Sequence, residues 1–433
     1  MNKKRILSLL IAVLLICVLS ACANNEQGTK ASDKADGDKK VELRVAWWGG
    51  QARHDKMNKL FDEFEQKYPN IKVLREFTTE NQYAEKYTTQ AAGGNAPDVM
   101  QTSSFFQFDF VEREMMLDLD PLVASGEINV EDFDPADIDG GKVNDKIYAI
   151  SLGHNITGVI YNADLFKQAG LELPKNNWTW DDYVAASKAL QKSLGDDAWA
   201  TEDEGGVYRG LELFIQQRGK SVFNETGLEL SKQDLTDWFT FWDQMRKDGL
   251  TPPAAIQAEQ GDKTQEQSLL ARGKVAMVSK SSNHLKIYQG TAKDELSLVS
   301  YPMDPNGETK VPLIVASLGI AANTKHPQEA AQLINFVVND PDAANIFIGE
   351  HGPQASKKMQ EAIKPLLGEP EFKEYAFLDE MIASAKPYPI MPSGSTSIQR
   401  LLLTSNQEIA FGKKTISEAV DEFFAQSEQI LNR

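Results

Sequence analysis

Residues 41–73 read "VELRVAWWGGQARHDKMNKLFDEFEQKYPNIKV". The opening VELRVAW predicts a strand, after which Met57, Leu60, Phe61, Phe64 and Tyr68 recur at helical spacing until Pro69-Asn70 stops the pattern. A second strand is expected from Ile71 to Phe77, then a helix ending at Gly93-Gly94, a strand "PDVMQT" from Pro97, and a helix from Ser104 to Met116. Such a βαβαβα start implies an α/β domain with a largely parallel sheet, helices on both faces, and ligands at the carboxyl ends of the strands. Two tryptophans, two glycines, Gln51, Arg53 and His54 stand at the first of those ends.

Further along, "KIYAISLGHNITGVIYNADLF" joins two β-rich runs through Gly153-His154-Asn155. Helices follow, with capping boxes at Thr179/Asp182 and Ser231/Asp234, where hydroxyl and carboxylate satisfy free amide donors. Leu235, Trp238, Phe239, Trp242 and Met245 repeat at helical spacing and read as core; Trp178 and Trp180 flank a cap and read as structural. "KVAMVSK", "LSLVSYP" and "VPLIVASLGIAANT" are strand-like, Pro327 opens a helix, and roughly the last eighty residues look helical. No short repeat points to a solenoid.

The chain has 433 residues, too many for one ordinary core, and its 41% hydrophobic and 25% charged content is that of a globular protein. Lys3, Lys4 and Arg5 precede an apolar run from Ile6 to Leu19, which reads as a secretion signal over residues 1–21. It ends in Leu19-Ser20-Ala21-Cys22, which resembles the bacterial lipobox, so Cys22 is the expected lipid anchor and 22–40 a flexible tether. The other cysteine, Cys17, lies in the signal, leaving the mature chain without disulfide or thiolate metal site. Removing the three signal cations leaves 42 basic residues against 63 acids, a surface that repels nucleic acid and anionic headgroups. Attachment to a membrane is then expected through lipid alone.

Enzymatic signatures are missing. There is no GxSxG, HExxH or GxGxxG, and "FIQQRGKS" has Phe214 where a phosphate loop needs glycine. The histidines at 54, 154, 284, 326 and 351 lack metal-ligand spacing, and no cofactor or metal is expected, although acids are abundant enough to leave a bound Ca²⁺ open. Arg53 and His54 oppose the dipole at a helix start, which either an anion resolves or a surface acid or water satisfies.

In order along the chain, "RVAWWGG", "FEQKYPNIKV", "GGNAPDVMQ", "NDKIYAISLG", "GVIYNADLFKQAGL", "TWDDY", "ARGKVAMVSK", "SLGIAANTKHPQEAAQLINFVV" and "KKTISEAVDEFFAQSEQIL" resemble extracellular solute-binding proteins of carbohydrate ABC importers, the maltose-binding-like class. "AWWGGQARHD" resembles the subgroup that takes up pectic, rhamnogalacturonan-type oligosaccharides. The resemblance implies a two-lobed periplasmic-binding-protein-like fold (class II) with its ligand cleft between the lobes: residues 41–152 and 304–349 in the first, 153–303 and 350–433 in the second. It also implies a monomer on the outer face of a Gram-positive membrane, handing an oligosaccharide to permease subunits and breaking no bond. A surface glycosidase or polysaccharide lyase on the same anchor is the rival.

Mapped onto that cleft, Trp47 and Trp48 point to opposite faces of their strand; a strand buried on both faces would hide both, but at its end one indole, Trp48 before Trp47, can meet a sugar ring. Gln51 lies beside them, and Arg53 with His54 would take a uronate carboxylate. Ser103, Ser104 and Phe105 follow one strand; Ser281, Ser282 and Asn283 follow another, without the aromatic platform common in that class. His154 and Asn155 sit at the crossing, and Tyr208, Arg209, Met391 and Pro392 match contact loops of the second lobe.

Overall fold

A computed structural model describes residues 40–431, apart from 225–226, 261–262, 264–266, 307–310, 390 and 393. The signal segment, Cys22 and the tether up to Lys39 lie outside the described residues. No helix among the described residues is long and apolar enough to cross a membrane.

The chain begins β1 (Val41–Trp48), α1 (Gln51–Lys67), β2 (Ile71–Thr78), α2 (Glu80–Ala92) and β3 (Val99–Ser103). Strand β1 runs parallel to both β2 and β3. Its side chains alternate between two apolar clusters: Leu43, Val45 and Trp47 enter one, Ala46 and Trp48 the other. Helix α1 lays Met57, Leu60, Phe61 and Phe64 on the first cluster and ends before Pro69, as its spacing predicts. The helix expected over 104–116 shrinks to α3 (Gln107–Glu112). Ser104 Oγ accepts a hydrogen bond from Val315 N (3.0 Å), which holds the loop to a neighbouring strand, and Glu114 takes φ 55°, which stops the helix early.

Strand β4 (Ala149–Asn162) is one continuous element of 14 residues rather than two runs. After it come α4 (Trp180–Gln191), β5 (Trp199–Thr201), α5 (Tyr208–Gln216), α6 (Lys232–Lys247), β6 (Val275–Ser281), α7 (His284–Gln289), β7 (Leu296–Ser300) and β8 (Val311–Ile320). The chain closes with α8 (Pro327–Asn339), α9 (Pro341–Phe347), α10 (Lys357–Ile363), α11 (Glu369–Met381), β9 (Ala385–Pro387), α12 (Ser395–Ala410) and α13 (Ile416–Leu431). Both expected capping boxes form, at α4 and α6. The spatial order is β2-β1-β3-β8-β4-β6-β5, with β7 on β4 and β9 on β8. The sheet is mixed, since β8 is antiparallel to β3 and β4, and β4 to β6 and β7.

The partner change along β4 makes two lobes. Residues 149–156 pair with β8, whereas 157–162 pair with β6 and β7. One core forms around Trp47, Phe61, Phe64 and Leu318; the other around Trp238, Trp242, Phe239 and Phe423. Fully burying each such side chain contributes roughly 1.5–3 kcal/mol. The second lobe was expected to resume at 350, but Ala355 belongs to the first core, Ser356 Oγ donates to Asp132 (2.9 Å) and Lys357 pairs with Asp134. Met359 and Ile363 pack with Ala344, so the chain returns to the second lobe only after Leu367.

Where the lobes join, a polar network replaces apolar packing. The Asn155 amide donates to His351 O (2.7 Å), and its oxygen accepts from Ser282 Oγ (3.2 Å) and Asn283 N (3.2 Å). His154 Nδ1 lies 3.1 Å from both Asp137 oxygens, and Ser151 Oγ donates to the same carboxylate (2.7 Å). Ser282 Oγ also reaches Glu374 (3.3 Å), whose carboxyl is pushed up to about 8, chiefly by burial. Gly352 sits at φ 89°, and a Cβ there would press into the His154 carbonyl.

Two stability effects follow from this joint. Gly352→Ala is expected to cost more than about 2 kcal/mol in urea unfolding, combining a left-handed strain with a backbone clash. For Glu374, the unfolded carboxyl loses its proton near 4.5 while the folded one keeps it to about 8, so stability falls as pH rises through that window. Glu374→Gln should therefore be more stable than the parent at pH 8 and gain little at pH 4, read from unfolding midpoints at the two values.

Candidate functional site

Three groups meet across the lobe boundary. Phe105, in the turn after β3 of the first lobe, has the Arg209 guanidinium of α5 over its ring at 4.5 Å, and Tyr388 packs edge-on against it at 4.7 Å. Phe105 and Arg209 are both placed by strand-to-helix turns, the position the βα start predicts for ligand contacts. Arg209 makes no hydrogen bond or ion pair to another described residue.

Beside them, Lys280 ends β6 and His284 opens α7. Burial and the fields of Lys280, Arg209 and Arg53 push the His284 imidazole down to about 3, so the ring stays neutral among three cations. Its Nδ1, the Asn283 side-chain oxygen and the Tyr388 hydroxyl are buried with no hydrogen-bond partner among the described residues. Folded proteins pair nearly all such atoms, so a cluster of orphans beside cations suits a polar, negatively charged ligand. Lys280, His284 and Tyr288 also border a cavity of about 330 Å³ in the second lobe.

Several expected contacts are corrected. Trp47 is 0% exposed, its indole N–H donating to His54 Nδ1 (3.1 Å) and its ring packed on Phe61 and Phe77, so it offers a sugar no face. His54 is spent in the same cluster, against Phe77, and burial and Arg53 lower its pKa. Trp48, the indole favoured for a sugar, is also buried at 7% exposure, packed edge-on against Tyr83 and Phe106, so the strand hides both indoles. The carboxylate expected from a ligand at Arg53 comes from the chain itself: Glu350 accepts from Arg53 Nε (3.1 Å) and pairs with Lys56 (2.5 Å). Burial works against the Glu350 charge, but the two cations outweigh it and hold its carboxyl low.

Tyr208 is turned inward, its hydroxyl donating to Glu212 (2.8 Å) and to the sulfur of buried Met391 (3.3 Å). Asn155, Ser282 and His154 belong to the joint; for His154 burial opposes the charge, yet Asp137 raises the pKa overall. Ser103 and Ser281 are buried, Ser103 Oγ accepting from Phe105 N (3.3 Å). Ser104 is tied to β8, and Pro392 is half-buried with its carbonyl on Ser395 N. Gln51 is exposed, and its side-chain amide donates to Asp55 (2.8 Å). Phe105, Arg209 and Asn283 are the expected residues that the fold brings to the boundary.

Lys280, His284, Glu350 and Tyr388 were missed. Lys280 carried a usable signal, being a lone cation at the end of an apolar strand, one residue before the hydroxyl loop that was singled out. Among the described residues no group of three or more metal-type side chains converges.

Comparison with known proteins fits this geometry. The family of bacterial extracellular solute-binding proteins matches residues 50–344. The galactooligosaccharide-binding protein of Bacillus subtilis is 24% identical over 430 residues, covering 95% of this chain and 94% of the relative. The multiple sugar-binding protein of Streptococcus mutans is 24% identical over 338 residues, covering 76% of this chain and 79% of the relative. Among solved structures, a periplasmic oligogalacturonide-binding protein from Yersinia enterocolitica, in complex with saturated digalacturonic acid, superposes with a TM-score of 0.80 at 26% identity, over 91% of this chain and 99% of that one. With a two-lobed α/β fold, a polar boundary between the lobes and a family match across most of its length, the chain belongs to the bacterial extracellular solute-binding proteins.

Proposed function

We propose that this protein is a lipid-anchored receptor that captures a uronate-containing oligosaccharide between its lobes and delivers it to the permease of an ABC importer. The observation that carries the acidic preference is the pair Arg209 and Lys280, two cations without a carboxylate at ion-pair distance among the described residues, facing the orphaned polar atoms of Asn283 and His284. A uronate supplies the missing negative charge, and its ring hydroxyls supply donors and acceptors for the amide, imidazole and phenol. Phe105 offers an apolar face for the C–H side of a pyranose. Relatives named for binding galactooligosaccharide and oligogalacturonide support the sugar class.

Closure follows from where these groups stand. Phe105 rides on the first lobe and Arg209 with Lys280 on the second, so a ligand that engages both favours the closed arrangement. A permease that recognises only the closed form then takes up only loaded receptor. The lobes are read as 41–152 with 304–367, and 153–303 with the remainder. The named relatives are binding proteins, and this chain is read as one; a lyase or glycosidase would shorten the sugar, which chromatography of the incubated ligand detects.

Calorimetry tests the ligand. Saturated digalacturonate should bind and galactobiose should bind at least tenfold more weakly, with the acidic sugar losing affinity as salt rises. Arg209→Met should weaken digalacturonate by about tenfold to a hundredfold, the size of a charge-assisted hydrogen bond. Equal affinity for the two sugars overturns the uronate reading, and no heat from any oligosaccharide overturns the sugar reading. For the anchor, Cys22→Ser should abolish palmitate labelling and release the protein from the membrane fraction into the medium.

A further inference from the structure

We propose that the second-lobe cavity between the turn before α5, α7 and α12 is a subsite for one terminal uronate of the ligand, with Lys280 as the residue that holds its carboxylate. The inference rests on the reading of the boundary as an acidic-oligosaccharide site and adds which end of that site reads the chain terminus. The cavity measures about 330 Å³, near the lower end of the roughly 300–1,000 Å³ usual for small-molecule pockets, so it admits a short piece of a glycan rather than a long one.

Two carboxylates border the cavity, and neither cancels Lys280 by contact. Asp203 is committed to Arg246 Nη1 (2.7 Å), with the Asn406 amide at 3.3 Å and Gly205 N at 2.9 Å. Glu202 is buried, and burial pushes its carboxyl up towards the neutral form. Deeper in, Glu204 already accepts from Ser279 N (2.6 Å) and Tyr301 OH (3.2 Å). Burial works against the charge of half-buried Lys280, but the fields of Tyr288, Glu202 and Glu204 hold it positive, while its three N–H donors meet no acceptor at hydrogen-bond distance among the described residues. Unfilled donors on a half-desolvated cation are costly, and the oxygens of an anion would fill them.

The remaining walls suit a sugar ring. His284 Nδ1 and the Gln260 side-chain oxygen are buried without hydrogen-bond partners among the described residues, and both residues border the same space. Val207, Leu403 and Phe411 line the same cavity and are 36%, 46% and 47% exposed, apolar surface suited to the C–H face of a pyranose.

The test compares trigalacturonate with galactotriose, its counterpart lacking carboxylates, on the parent, on Lys280→Met and on Leu403→Trp, which narrows the rim. Expected are a loss of about tenfold to a hundredfold for trigalacturonate in Lys280→Met, no more than a twofold change for galactotriose, and a melting temperature no lower than the parent's. Leu403→Trp should weaken both ligands. If Lys280→Met binds trigalacturonate within twofold of the parent, loses the same factor on both sugars, or melts several degrees lower, Lys280 serves the buried glutamates and the subsite is wrong. If the parent binds no galacturonide at all, the underlying reading fails before any variant is titrated; if Arg209→Met loses trigalacturonate and Lys280→Met does not, the subsite alone fails.

Discussion

The structure depends on one strand changing partners. Over its first eight residues β4 completes the sheet of the first lobe, and over its last six it completes the sheet of the second. Ladder hydrogen bonds run through β4 into both sheets, with one register irregularity against Ala316/Ser317, so the lobes are joined at the point where partners switch. That point is Asn155 to Thr157, and the Asn155 amide spends its donor on the loop at His351 and its acceptor on Ser282 and Asn283. One side chain thereby registers the end of β6 against the loop that carries Glu350.

The same arrangement explains the distribution of charge. Glu350 is neutralised by Arg53 and Lys56 on the first-lobe side, and Asp137 by His154 and Ser151 at the joint. On the second-lobe side, Arg209 and Lys280 have no such contacts among the described residues. In a chain carrying net −18, these two cations are met by no carboxylate at ion-pair distance among the described residues, although Glu202 and Glu204 act on Lys280 at longer range.

The sequence alone determined the element pattern wherever periodicity was strong: the strand β1, the amphipathic α1, both capping boxes, and the Trp238/Trp242 stripe as core. Local chemistry suffices there, because period, cap and breaker act within a few residues of one another. The helix over 104–116 failed because a hydrogen bond from Val315, 211 residues away, competes with the local preference. The return to the second lobe near 368 rather than 350 was likewise settled by contacts of Ser356, Lys357 and Met359 with distant elements.

Site residues were legible as positions and illegible as roles. The strand-end rule points to Phe105, Arg209 and Asn283, which the fold brings to the lobe boundary, yet the same rule placed Trp47, His54 and Tyr208 at the ligand, where packing turned them inward. Whether both adjacent indoles enter cores, and whether Arg53 meets a ligand or Glu350, are questions of side-chain partners separated by up to 297 residues. Composition and spacing carry no information about such partners; only the folded chain, by bringing Glu350 into contact with Arg53 and keeping Glu202 and Glu204 beyond contact of Lys280, decides which charges are paired directly within the protein.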